Sequence, residues 1–206
     1  MIKLLIFDYD GVLFDTKNIA FNLVTKACKK FCNFTIDNWK DFIDIYKSNF
    51  YDAMRKRGAR KKDIVKMTAF SIKELEKKTL HVHPGIKSVV EKLSKTHTLA
   101  VISSNYDNIM RKNLKKNGIL DDFHYILGTE EGESKRKKIA DLLKKTKTEK
   151  SEAVFITDTV GDIKEAKKSG IKAMAVTWGF HSKAMLKKQN PDFIAENAEQ
   201  IQEALA

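Results

Sequence analysis

Short apolar runs alternate with longer amphipathic stretches along most of this chain. Runs too short for a helix predict buried strands over Lys3–Phe7, Thr98–Ser103, His124–Leu127, Ala153–Thr157 and Lys172–Val176. Apolar positions at helical spacing predict helices over Gly85–Lys95, Asn108–Asn117, Ser134–Lys145 and Gly161–Ser169. Gly118 and Gly170 fall just past the ends of two of these, where a left-handed C-terminal cap suits glycine. The tail reads as a helix over His181–Gln189, an extended piece at Asp192–Ala195 and a last helix running to Leu205. Alternation of this kind is the pattern of an α/β fold, a Rossmann-like parallel sheet covered by helices.

One stretch breaks the alternation. From Thr16 to about Leu80 there are helical patterns over Lys17–Phe31, Asp37–Ser48, Tyr51–Arg57 and Lys62–Lys78, with no convincing strand. The expected organisation is therefore a core built from residues 1–15 and 81–206, with an all-helical cap, 16–80, inserted after the first strand. Pro84-Gly85 marks the return to the core. No internal repeat or low-complexity linker is evident.

Composition narrows the partners more than the fold. The formal net charge is +12, but the lysines are spread over nearly every predicted helix instead of forming one stripe. With 9% aromatic residues and no nucleic-acid-binding motif, solvated lysine faces are the better reading, and a nucleic-acid partner is not expected. A basic surface still favours anionic substrates. No apolar run approaches membrane-span length, and the N-terminal one stops at Asp8, so neither a membrane anchor nor a signal peptide is expected and the cytoplasm is the expected location. Cys28 and Cys32 lie four apart on one helix face without neighbouring ligands, and reduced thiols are expected.

The chemistry-bearing residues gather at strand ends. In Asp8-Tyr9-Asp10-Gly11-Val12-Leu13-Phe14-Asp15-Thr16, alternation puts Asp8 and Asp10 on one side and Tyr9 on the other. Two carboxylates there repel unless a cation or a shared proton intervenes, and no basic residue lies in the segment. Gly11 allows a tight turn out of the sheet. A second acidic pair, Asp158 and Asp162, follows the strand Val154-Phe155-Ile156-Thr157, with Asp162 one helical turn on. Either of that pair could instead favour the positive end of a helix. Two such pairs in one α/β chain point to a hard-cation site, and oxygen ligands suit magnesium. Val101-Ile102-Ser103-Ser104-Asn105 offers hydroxyls at another strand end; Ser103 is the better candidate, Ser104 the alternative, and either could cap a helix. In Ser134-Lys135-Arg136-Lys137-Lys138, Lys135 precedes Ile139 by four and Leu142 by seven and so projects from the sheet-facing side, whereas Lys137 points away.

Taken in order, Asp8-Tyr9-Asp10-Gly11, Ser103, Lys135, and Asp158 with Asp162 resemble the four motifs of the haloacid dehalogenase superfamily. The Trp178-Gly179-Phe180 turn and Pro191-Asp192 resemble its phosphoglycolate-phosphatase-like branch, which carries a helical cap after the first motif. Two departures are Thr157, where relatives carry glycine, and the absence of a Lys-Pro pair at the lysine motif. The resemblance implies a magnesium-dependent phosphatase with Asp8 as nucleophile and Asp10 as general acid and base. Magnesium would be held by Asp8, the main-chain carbonyl of Asp10 and Asp158, with Asp162 behind them, and phosphate by Ser103 and Lys135. It implies a small phosphomonoester substrate and a cap that sets specificity. A basic turn, Arg55 to Lys62, is compatible with an anionic leaving group, but a solvated turn is the better reading for each of its side chains; a small anionic phosphomonoester is the expected substrate. His81 and His83 fall at the hinge without partner ligands nearby in sequence. A phosphosugar mutase of the same branch is the main alternative, and relatives of that kind carry a histidine where Ala20 stands here. A non-catalytic basic nucleic-acid-binding protein on the same fold is the other, and it would be expected to lose some of these site residues. A monomer or small homo-oligomer is expected.

Overall fold

A computed structural model describes residues 1–128 and 134–205. Among these residues six parallel strands form one sheet: β1 (Leu4–Asp8), β2 (Thr98–Ile102), β3 (Tyr125–Leu127), β4 (Ala153–Thr157), β5 (Lys172–Val176) and β6 (Phe193–Ala195). Their order across the sheet is β3-β2-β1-β4-β5-β6. β1 is central, pairing Asp8 with Ile102 on one side and Phe7 with Ile156 on the other. The strand order reverses between β1 and β4, and in open α/β sheets the crevice beyond the strand ends at such a switch point is where ligands bind.

Alternation along β1 sorts its side chains between two buried layers. Leu5 and Phe7 pack with α5 (Ile86–Leu93), α6 (Asp107–Lys116) and α10 (Glu199–Glu203), whereas Leu4 and Ile6 pack with α7 (Lys135–Thr146), α8 (Val160–Ser169) and α9 (Lys183–Lys187). Both faces of the sheet are covered, so the strands read as unbroken apolar runs rather than alternating ones. Asp8 continues the parity of Leu4 and Ile6 and is thereby directed to the layer that holds α7 and α8. Gly118 and Gly170 both have left-handed backbones, with φ of 67° and 76°, and end their helices as expected.

Between β1 and α5 lie four helices: α1 (Lys17–Phe31), α2 (Trp39–Ile45), α3 (Phe50–Lys56) and α4 (Lys61–Leu75). They share an apolar cluster of their own, including Val24, Ala27, Phe42, Ile45, Met54, Ile64 and Met67, which Phe180 joins from the loop after β5. The chain leaves and re-enters the sheet side by side: Phe14 bridges Val82, Asp15 N–H donates to the His81 carbonyl at 3.0 Å and His83 N–H to the Leu13 carbonyl at 2.9 Å. The helices are one to three residues shorter than expected at several ends. The helix expected over Asp37–Ser48 shortens most, to Trp39–Ile45, and the one expected over His181–Gln189 is only Lys183–Lys187, with Ser182 as its N-cap. His181 lies outside it and is committed to another contact, described below.

Candidate active site

The C-terminal ends of β1, β2 and β4 bring the predicted residues together at one end of the sheet. Asp8 closes β1, Ser103 follows β2, Asp158 follows β4, and Lys135 and Asp162 stand in the first turns of α7 and α8. The Lys135 ammonium lies 2.7 Å from Asp8 Oδ2 and 2.8 Å from Asp162 Oδ2, bridging two carboxylates distant in sequence. It is therefore the buried cation that the Asp8 segment itself lacks. Asp10 Oδ2 accepts from the Asn105 side-chain amide at 2.6 Å.

Around this centre each group is oriented by a neighbour. Asp8 Oδ1 accepts from the Tyr9 N–H at 2.7 Å. Asp162 Oδ2 accepts from the Thr157 hydroxyl at 3.0 Å, and the same hydroxyl oxygen accepts the Thr159 N–H at 3.2 Å. Thr157, the departure from the family pattern, thus uses its hydroxyl to hold Asp162. Neither acid is itself the cap of α8: Thr159 is its N-cap, its side chain accepting from Asp162 N–H, while Asp162 stands in the first turn, at the positive end of that helix. Ser103 Oγ accepts from Asn105 N–H at 3.0 Å, and the Ser103 carbonyl accepts from Lys138 Nζ at 2.5 Å. Both Ser103 and Ser104 line the cavity beside the carboxylates, so both hydroxyls remain candidates.

Asp158 is fully buried. Its Oδ2 accepts from the Phe180 N–H at 2.6 Å, while Oδ1 has no hydrogen-bond partner. Two glycines make room for this carboxylate. Gly11 has φ +73°, and a Cβ there would fall 2.2 Å from Asp158 Oδ2; at Gly179 the corresponding distance is 2.1 Å. The Trp178 indole N–H donates to the Val12 carbonyl at 3.2 Å and ties the two glycine turns together.

Burial at this density shifts the acids apart. Burial pushes Asp8 well above the usual carboxylate range despite the Lys135 charge, with Asp162 and Asp158 adding to the rise. Burial and the nearby Asp162 charge push Asp158 up to about 7 against the Phe180 N–H. Burial also raises Asp10, opposed by hydrogen bonds that include the Asn105 amide. Asp162 alone falls below the usual range: burial works against it, but Lys135 and its hydrogen bonds outweigh burial. Burial would lower Lys135, yet Asp162 and Asp8 hold it charged. One lysine among these carboxylates leaves negative charge unmatched.

That imbalance tests the fit of a divalent cation. Among the described residues no three His, Cys, Asp or Glu side chains stand as a ready cage. The candidate donors are two carboxylates, Asp8 and Asp158, and a main-chain carbonyl, that of Asp10. The buried, partnerless Asp158 Oδ1 is the donor atom such an ion would satisfy. An all-oxygen set of this kind suits magnesium, which keeps several waters.

A cavity of about 170 Å³ opens from these groups toward the four-helix block. Its floor is Asp8, Asp10, Ser103, Asn105, Lys135 and Asp162; its walls include Leu23, Val24, Tyr46, Phe50, Met67 and Phe180. The basic turn Arg55–Lys62 is not part of the described lining. Arg55 instead pairs with Asp52 at 2.5 Å on the surface, and exposed Arg60 pairs with the buried Asp63 at 2.8 Å. The block is fastened to the sheet by the Gly161 N–H, which donates to the Tyr46 carbonyl at 3.0 Å, and by His181. His181 Nδ1 accepts from the Val160 N–H at 2.8 Å, so Nε2 carries the proton and donates to the Ile43 carbonyl at 3.0 Å.

Sequence reasoning missed Asn105, Lys138, Thr157 as a hydrogen-bond donor, and His181. Only Lys138 had a readable signal: it precedes Leu142 by four and so shares the apolar face that singled out Lys135.

Comparison with known proteins agrees with this geometry. The family model described as haloacid dehalogenase-like hydrolase matches residues 5–176. A phosphoglycolate phosphatase of Synechococcus elongatus is 22% identical over 204 residues, covering 98% of this chain and 96% of that protein. One from Vibrio parahaemolyticus is 25% identical over 130 residues, covering 61% of this chain and 57% of its own. A haloacid dehalogenase-like family hydrolase from Streptococcus pneumoniae superposes with a TM-score of 0.84 at 22% identity, covering 100% of this chain and 99% of its own. A predicted phosphatase from Clostridium acetobutylicum superposes equally well, with a TM-score of 0.84 at 18% identity, covering 100% and 98%. These likenesses support a phosphatase among hydrolases of this fold. The chain belongs to the haloacid dehalogenase-like hydrolase family.

Proposed function

We propose that this protein is a magnesium-dependent phosphatase that hydrolyses a small phosphomonoester through a phospho-aspartate on Asp8. The observation that carries the reading is the bridge from Asp8 through Lys135 to Asp162, with Asp10 held by Asn105 beside it, at the floor of a cavity. It supplies a nucleophile, a second carboxyl within reach of the leaving oxygen, and a fixed positive charge.

In the first half of the cycle the Asp8 carboxylate attacks phosphorus as the bond to the leaving oxygen breaks. The Asp10 carboxyl gives that oxygen a proton, and burial, which raises Asp10, helps it keep that proton until it is needed. In the second half a water attacks the phosphoryl group while Asp10, now a carboxylate, takes its proton; phosphate leaves and Asp8 is regenerated. Lys135 and the Ser103 or Ser104 hydroxyl neutralise and orient the phosphoryl oxygens. Asp8, the Asp10 carbonyl and Asp158 would hold magnesium, with Asp162 supporting its waters, and the ion when bound would shield the carboxylates from an incoming phosphate dianion.

Residues 16–80 act in this reading as a cap over a core of 1–15 and 81–206, with the paired segments around Phe14 and Val82 as the hinge. Hydrolysis is favoured over phosphosugar transfer by one position. Ala20 lines the cavity, and it brings no side-chain hydrogen bond with which to hold a reorienting sugar.

The test is phosphate release from a panel of phosphomonoesters by wild type and Asp8→Asn, with magnesium and with excess chelator. Turnover that requires magnesium and is lost in Asp8→Asn is expected. Full turnover in chelator, or near-wild-type activity in Asp8→Asn with deamidation excluded, would sink the mechanism.

A further inference from the structure

The two halves of the cavity differ in chemistry. The floor is charged, whereas the part contributed by the helical block is largely hydrocarbon: Ile19, Leu23 and Val24 from α1, Phe50 from α3, and Met67 and Leu75 from α4. Lys135 is the one basic residue among the described lining residues, and its ammonium already serves Asp8 and Asp162. Some polar atoms of the upper wall are engaged, while Tyr46, Ser48 and Ser71 also bring hydroxyls to it. Asn49 Oδ1 accepts the Tyr51 and Asp52 N–H groups at the start of α3, and the Thr68 hydroxyl donates to the Ile64 carbonyl at 2.8 Å. The cationic turn Arg55–Lys62 lies outside this lining.

A carboxylate on the leaving group would thus be moved from water into a hydrocarbon pocket with no cation to meet it, close to a floor already rich in negative charge. A neutral leaving group with a carbon body would lose no ionic hydration there and would bury apolar surface. The volume sets a scale as well: about 170 Å³ compares with the ~150 Å³ cavity that accommodates benzene. We infer that the preferred substrates are phosphomonoesters of neutral, apolar-bodied alcohols, with a short alkyl chain or a single ring, and that a carboxylated leaving group is selected against. The inference rests on the phosphatase reading above and reverses the anionic preference that the basic composition suggested.

The experiment uses matched pairs that differ in one carboxylate: n-butyl phosphate against 4-phosphonooxybutanoate, and phenyl phosphate against 4-carboxyphenyl phosphate. kcat/KM is measured for each with magnesium, in wild type and in Ser71→Arg. Ser71 lines the cavity and is partly exposed, so the substitution adds a cation to the wall without removing an apolar contact. Wild type should favour the neutral member of each pair by at least tenfold, because the carboxylate has no partner. Ser71→Arg should narrow or invert that ratio. A wild-type preference for the carboxylated members, or equal rates, overturns the inference and leaves the phosphatase reading standing. If Ser71→Arg leaves the ratio unchanged, the wall does not set the preference and the inference likewise falls. Hydrolysis of none of the four removes both readings.

Discussion

Replacing Asn105 with alanine removes one hydrogen bond, the 2.6 Å contact from its side-chain amide to Asp10 Oδ2. A hydrogen bond to a charged partner contributes about 1.5–3 kcal/mol. Asp10 and Asn105 are only partly buried, which places this one in the lower part of that range. If Asp10 must be correctly aimed in both half-reactions, the loss appears in kcat and amounts to about 10- to 50-fold. Substrate binding, which depends on Lys135 and the serine hydroxyls, should change little, so KM should stay within about threefold of wild type.

The same substitution has a signature in pH that a purely structural role would not give. Burial raises Asp10, and the Asn105 amide, by bonding to the charged form, opposes the rise. Without Asn105 the proton is held more tightly. Asp10 acts as an acid in one half-reaction and a base in the other, so both limbs of the rate profile should move toward higher pH. The assay is steady-state phosphate release across pH in wild type, Asn105→Ala and Asn105→Asp. A kcat within twofold of wild type, or a profile displaced toward acid, would refute the assignment of Asn105 as the residue that positions Asp10.

Two further outcomes follow from the buried charges. Lys135→Met leaves Asp8 and Asp162 without their shared cation, and breaking a buried ion pair costs about 3–5 kcal/mol; at about 2–4 °C per kcal/mol for a chain of this length, a large fall in Tm is expected in chelator. Adding Asp8→Asn should recover part of that loss, and simple additivity of the two substitutions in thermal melts would contradict the pairing. His181 is held neutral by burial, with the Ile43 carbonyl pulling in the opposite direction, and both ring nitrogens are engaged in one tautomer. Its folded pKa is depressed, so the unfolded chain binds the proton first, and stability is lost as pH falls through and below about 6.5. Denaturant titrations at pH 7.5 and 5.5 should show a larger acid loss for wild type than for His181→Gln; equal losses would rule His181 out as the group that links the contact with the four-helix block to protons.

The parallel sheet, the helical insertion and the gathering of Asp8, Asp10, Ser103, Lys135, Asp158 and Asp162 at one end of the sheet were readable because each rests on a local pattern. Apolar runs too short for helices marked the strands, and acids placed at their ends marked Asp8, Asp10, Asp158 and Asp162. Lys135 was readable from helix phase alone. What was hidden depends on contacts between segments far apart in the chain. Asn105 looks like one more polar residue in a Ser-Ser-Asn turn until β2 is placed beside β1, and only then does its amide meet Asp10. Thr157 read as a departure from pattern, because a hydroxyl replacing glycine has no visible purpose before α8 brings Asp162 over it. His181 was assigned to a helix because its neighbours favour one, while its two ring contacts lie on other elements. The Arg55–Lys62 turn could not be oriented from sequence for a similar reason: charge is visible there, but which way a turn faces is not.

This division bears on what kind of function a sequence of this family can disclose. The proposed reacting groups come from the ends of β1, β2 and β4 and the first turns of α7 and α8, whose positions relative to one another are set by strand register and helix phase. A register slip by one residue would turn Asp8 away from Lys135 and into the opposite apolar layer, so the polar floor is tied to the fold itself. The cavity wall comes instead from α1, α3 and α4, which are packed around a separate apolar cluster and joined to the sheet by a few contacts, including those of Phe180, His181 and Gly161. Nothing in strand register constrains which side chains that block presents. The floor can therefore stay fixed while the wall changes from polar to hydrocarbon, and the reaction class is legible in motifs where the leaving group is not. In this chain the wall is largely hydrocarbon, and Arg55 and Arg60 of the neighbouring basic turn pair with Asp52 and Asp63 instead of lining it.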